Sequence, residues 1–207
     1  MNTLHRNFCI ILLLFFVFSA TAQKQTPPPG TAPLNPSETE TKHAAFIDNE
    51  VITVFAWLEY LWWIAKEHGE ESAEYKACLP DILICEQVYP DTWRNAKYRK
   101  YPIVGITYEQ AGAYCAWRSD RVNEMLKLQK NQKKYGYTVT YSLPTENDLR
   151  EAYRQFRIGG CFDYDYPVNE LTAEKTVMIK VWRSELFQPY QEADFVTGFR
   201  CVAEVQK

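Results

Sequence analysis

The chain has 207 residues, 46% of them hydrophobic and 24% charged, the balance of a globular protein with a buried core and not of a disordered or collagen-like chain. Its 23 Lys+Arg against 26 Asp+Glu give a formal net charge of -3, which leaves no electrostatic footprint for nucleic acid or an anionic membrane surface. Six cysteines mean disulfides outside the cytosol and metal or redox chemistry inside it, so the compartment is read first.

Arg6 lies in a short basic start, Phe8 to Phe18 is an unbroken apolar run, and Ala20-Thr21-Ala22 offers the small-x-small pattern of a signal-peptidase site. The run is about half of the ~20 residues a membrane span needs. Residues 1–22 therefore read as a cleaved signal peptide, which exports the chain to the periplasm, the cell envelope or the medium. No transmembrane segment is expected after cleavage. Cys9 lies within the run and not at the cleavage point, which disfavours a lipoprotein. Cleavage leaves five cysteines and 22 basic against 26 acidic residues. Residues 23–43 carry five prolines and no apolar periodicity, the pattern of an extended linker. The folded domain is expected over residues 44–207.

Within it, Val51, Val54, Phe55, Leu58, Leu61, Trp62 and Ala65 recur at three- and four-residue intervals, one apolar stripe on a helix that Gly69 ends. Of the adjacent Trp62 and Trp63, one is expected to cap the stripe edge and the other to pack against a loop, with ligand stacking as the alternative. Tyr101 to Ile106 has a β-type pattern. Thr107 and Gln110 then form a capping box that starts a second helix through Ala111, Tyr114, Cys115, Trp117, Val122 and Leu126. Tyr137 to Tyr141 alternates as a strand. Thr145 caps a third helix with Leu149, Ala152, Tyr153 and Phe156 on its inner face. Two β-rich stretches follow, Thr176 to Trp182 and Phe199 to Val205. The class is α+β.

Four segments in this order resemble one family. They are Phe46-Ile47-Asp48-Asn49-Glu50-Val51-Ile52-Thr53 and Tyr101 through Ala111 into Ala113-Tyr114-Cys115-Ala116-Trp117-Arg118, then Ser142-Leu143-Pro144-Thr145-Glu146, then Gly198-Phe199-Arg200-Cys201-Val202. The chain resembles the formylglycine-generating enzyme, or sulfatase-modifying factor, family. Tyr89-Pro90-Asp91-Thr92 and the Trp117 to Asn123 stretch look closest to its branch of gliding-motility and type IX secretion lipoproteins of Bacteroidota. The resemblance implies a shortened variant of the C-type-lectin-like fold, and a disulfide between Cys115 and Cys201.

The family's sulfatase-directed members bind copper through two cysteines shortly before the Gly-Phe-Arg-Cys segment, using oxygen to convert a substrate cysteine to formylglycine. Soft thiolates suit Cu(I), and polar residues do not replace them. Here Trp182 to Thr197 contains no cysteine, so the resemblance implies no copper and no catalytic residue. It leaves a non-catalytic domain for interaction or assembly with envelope proteins, of unknown oligomeric state. Two alternatives stand beside this reading: a formylglycine-generating oxidoreductase with an atypical site, and calcium-assisted carbohydrate or ligand binding. Glu170 is the candidate Ca²⁺ ligand, although Pro167 stands where the family has an asparagine and a role in local hydrogen bonding competes. Asp163, Tyr164, Asp165 and Tyr166 form the candidate ligand surface, with a solvated, tyrosine-rich loop as the alternative. Cys78 and Cys85 are a second candidate disulfide if the stretch between them loops, leaving Cys161 as the odd thiol.

Overall fold

The computed structural model describes residues 26–34, 45–128, 134–156, 168–181 and 184–206. In chain order these form β1 (Thr31–Leu34), β2 (Ala45–Asp48), α1 (Val54–His68), α2 (Ala73–Cys78), α3 (Ile82–Val88), a 3-10 turn (Ala96–Tyr98), α4 (Tyr108–Lys127), β3 (Thr138–Ser142), α5 (Glu146–Phe156), β4 (Asn169–Leu171), β5 (Thr176–Val181), β6 (Ser184–Pro189), β7 (Thr197–Gly198) and β8 (Val202–Gln206). The α+β class holds. One sheet has the order β1-β2-β8-β3 and the other β6-β5-β4-β7. All pairs in the first are antiparallel, and the second has one parallel pair, β4 with β7.

The first sheet is buried on both faces, and the two-residue period of its strands divides them. Phe46, Val139, Tyr141, Ala203 and Val205 join the larger core with α1 and α4. Leu34, Ile47 and Val202 meet Leu149 and Ala152 of α5 and Met178 of β5 in a second cluster. At the centre of the larger core Trp57 stacks on Tyr114 at 5.5 Å between ring centroids. Tyr60 and Phe199 present their edges to it at 5.3 and 6.1 Å, and the indole N–H donates to Cys78 O.

The locally encoded helix starts form as read. Thr107 accepts from Gln110 N while its own N–H donates to Gln110 Oε1, a complete capping box, and Thr145 exchanges hydrogen bonds with Asp148 at the start of α5. Gln110 also donates to Ala77 O and Leu79 O, so the box of one helix ties down the end of another. Gly69 closes α1 at φ 87°, a region other residues enter at a cost.

Three expectations are corrected. Thr31–Leu34, inside the expected linker, is a strand at the edge of the first sheet. Pro33 is tolerated there because an edge strand leaves one row of backbone groups outside the ladder. Thr26 O accepts from Tyr137 Oη and Pro33 O from Gln155 Nε2, so this stretch is fastened to the domain. The inner face of α1 is Val54, Trp57, Tyr60 and Leu61; Phe55 and Trp62 are 57% and 56% exposed. Two apolar stripes share Val54 and Leu61, and the one with Trp57 and Tyr60 buries more ring area. Tyr101 to Ile106 is not a regular strand: beyond a single bridge from Pro102 to Thr53, Ile103 N and Gly105 N donate to Ile52 O and Asp194 O. Its apolar pattern reflects burial, since Ile103 and Val104 are fully enclosed.

Candidate functional site

Asp48 ends β2 at the seam between the first sheet and α4. Its Oδ2 accepts from Arg118 Nη1 at 2.6 Å and from the Cys201 backbone N–H at 2.9 Å, and its Oδ1 accepts from Arg118 Nη2 at 2.8 Å. Its carbonyl oxygen accepts from Arg200 Nη1 at 2.8 Å. Arg200 turns its other side to Glu170, with Nε to Oε2 at 2.5 Å and Nη2 to Oε1 at 3.1 Å. Two arginines and two carboxylates thus form a charge-balanced chain linking β2, α4, β4 and the segment before β8. Glu170 and Arg200 are almost wholly enclosed, a placement that ions adopt only when paired.

The Arg118 guanidinium lies 4.2 Å from the centre of the Tyr141 ring. Burial opposes its charge, but Asp48 outweighs burial and holds it well above the usual arginine range. Burial pushes the Tyr141 hydroxyl up to about 12, with Arg118 pulling the other way. Beside the ion pair opens a cleft of ≈ 450 Å³ lined by Asp48, Glu50, Glu59, Tyr114 and Arg118 among others.

Cys115 of α4 and Cys201 face one another across the same seam, Sγ to Sγ 3.5 Å, both buried and both free thiols. The structure brings the expected pair together without bonding it; a disulfide requires about 2.05 Å. Burial, then the hydrogen bond shared with Cys115, raises the Cys201 thiol well above its ordinary range. Cys78 and Cys85 are also free, which corrects the second candidate bridge. The stretch between them enters a new helix instead of looping, and each thiol has its own partner: Cys78 Sγ meets Tyr60 Oη at 2.9 Å and Cys85 donates to Val104 O at 3.0 Å. Burial, reinforced by Asp81 and Glu86, pushes Cys85 up to about 12. Cys78 is raised by burial, with the Tyr60 hydrogen bond acting the other way.

Glu170 sits where a calcium ligand was expected, yet both of its oxygens accept from Arg200, so a cation would have to displace a guanidinium. Its placement corrects the calcium expectation in favour of the hydrogen-bonding one. Cys161, Asp163, Tyr164, Asp165 and Tyr166 lie outside the described residues. Trp62 and Trp63 form a T-shaped pair at 5.2 Å on the outer side of α1, with Lys66 Nζ 5.1 and 4.8 Å from the two ring centres and Arg121 over Trp63. Neither tryptophan enters the seam.

Sequence reasoning quoted Asp48, Arg118 and Arg200 within motifs but gave them no role. The available signal was a charged residue set in each apolar run: Asp48 after Phe46-Ile47, Arg118 after Trp117, Arg200 between Phe199 and Cys201. An ion at an inward position demands a partner.

The copper centre of the family's sulfatase-directed members needs two thiols shortly before the Gly-Phe-Arg-Cys segment. Trp182 to Thr197 supplies no thiol. Among the described residues no helix is long and apolar enough to cross a membrane. No curated protein and no solved structure matches the chain. The family model described as the sulfatase-modifying factor enzyme 1-like domain matches residues 18–204, taking in all four motif segments, and the chain belongs to that family.

Proposed function

We propose that this protein is an exported, non-catalytic member of its family that works in protein interaction or assembly in the bacterial cell envelope, on a shortened C-type-lectin-like scaffold akin to the gliding-motility and type IX secretion branch. One contrast carries the reading. The charged seam through Asp48, Arg118, Arg200 and Glu170 is complete, while the stretch before it holds no thiol pair. Ion pairs of this kind fasten four segments to one another, a structural use of buried charge.

Two experiments test the proposal. Purified protein is incubated with copper, oxygen and a peptide carrying Cys-x-Pro-x-Arg, and the peptide is weighed by mass spectrometry. No mass change is expected; formylglycine formation overturns the non-catalytic reading in favour of an atypical oxidase. Fractionation of expressing bacteria is expected to place the chain, shortened by its first 22 residues, outside the cytosol. A full-length cytosolic product overturns export.

A further inference from the structure

Nine large hydrophobic side chains are exposed among the described residues, and five of them flank two aspartates, Leu79, Ile82 and Leu83 on either side of Asp81 and Phe195 and Val196 directly after Asp194, with Leu83 73% exposed. The shared anchor is Gly105. Its carbonyl accepts from Asp81 N at 2.8 Å and its N–H donates to Asp194 O at 2.9 Å, so two turns distant in sequence clasp one buried glycine. A Cβ on Gly105 would come within 2.9 Å of Asp81 O and 3.0 Å of Cys85 Sγ, so the clasp requires glycine. Isolated exposed hydrophobics are ordinary, whereas a gathered set marks a contact surface.

Both turns are held in the shape that displays these side chains. Asp81 Oδ1 accepts from Leu83 N and Ile84 N at 2.9 and 3.2 Å. Asp194 Oδ1 accepts from Val196 N at 2.9 Å, and its Oδ2 from Thr197 Oγ1 at 2.8 Å. A surface ordered in advance binds without the entropic cost of ordering it later. Four acidic side chains border it, and Asp81, Glu86, Glu192 and Asp194 make no ion pair with a described side chain, while Lys175, whose carbonyl accepts from Tyr190 N, is paired with Glu109. Their field reaches inward, adding to the burial that raises Cys85 on one side and Tyr190 on the other. A cleft of ≈ 290 Å³ with Ile179, Tyr190, Glu192 and Asp194 in its lining continues from this rim. An apolar wall with an acidic lip suits the stem and head of a lysine or arginine.

We infer that this clasped face is a docking site for a protein segment that alternates apolar residues with lysine or arginine. The inference rests on the interaction role proposed above and supplies the kind of partner. Apolar contact gives the affinity, and the acidic rim selects the sign of the partner and speeds encounter.

The test screens a random-peptide display library against the signal-free chain, with the Leu83→Ser/Phe195→Ser double variant as counter-screen. Peptides combining Leu, Ile or Phe with Lys or Arg are expected to be enriched on the unaltered chain. A synthetic peptide from that set is expected to bind at least about tenfold more weakly to the double variant and to Glu86→Lys/Glu192→Lys, and to lose affinity as salt is raised. These are exposed positions, and circular dichroism checks that each variant folds. Enrichment of acidic or purely apolar peptides, or equal binding by the variants, overturns the inference. So does apolar-face-dependent self-association in sedimentation, or binding to phosphatidylglycerol vesicles in preference to peptide. Failure here leaves the formylglycine assay untouched, and a positive formylglycine assay overturns the non-catalytic reading without touching the peptide result.

Discussion

At the scale of single residues, Asp48 serves three donors with one carboxylate and a fourth with its carbonyl. Asp48→Asn leaves Arg118 enclosed without its counter-charge, and loss of one partner from a buried pair costs about 3 to 5 kcal/mol. Urea unfolding is expected to show an unfolding free energy lowered by that amount, with a far smaller loss for the exposed pair member Glu71→Gln, whose partner is Lys76. Cys85 makes a pH prediction. Its thiol ionises at 9.0 ordinarily and about 12 when folded. Below pH 9 both states carry the proton and stability is unaffected. Above it the unfolded chain ionises first, and stability falls by about 1.4 kcal/mol per pH unit until the folded thiol follows. Unfolding measured from pH 8 upward is expected to show this slope, and Cys85→Ser to remove that share of it. Residue roles of this kind were the least legible part of the sequence. The partners stand 70 and 152 positions apart, and no local pattern pairs them.

At the scale of elements, legibility followed the range of the interaction. The start of α4 was readable because Thr107 and Gln110 are three residues apart and satisfy each other. The face of α1 was not, because two stripes fit the helical period and the choice is made by Tyr114 and Phe199, which arrive from elsewhere. The same contrast predicts unequal effects at the two ends of the capping box. Thr107→Ala removes one cap bond and is expected to cost about 1 kcal/mol. Gln110→Ala also orphans Ala77 O and Leu79 O, so its loss in thermal unfolding is expected to be the larger. Equal losses would mean that α2 holds its end without Gln110.

For the whole molecule, the α+β class and the family were legible because the motif segments lie in collinear order, while the N-terminal limit of the domain was not. Prolines made Thr31–Leu34 look like a spacer, and its strand character comes only from Ala45–Asp48 beside it. A chain beginning at Ala45 is expected to unfold at lower temperature, because Leu34 leaves the second core, and to self-associate through the bared edge of β2. Differential scanning calorimetry and light scattering read the two effects. A truncated chain as stable and as monomeric as the longer one would return the segment to a tether.

The strand order also sets a timetable. β8 follows both β2 and β3 in the chain, yet it lies between them and supplies the pairing that joins them. Until Val202–Gln206 emerges, the strands on either side have no common neighbour, and Arg200 and Cys201 are missing from the seam at Asp48. The long-range pairing that normally slows folding here postpones this sheet until β8 has been made. In a chain threaded through a membrane in order from its N-terminus, this sheet would thus stay unassembled, and fit to pass, until Val202–Gln206 had crossed.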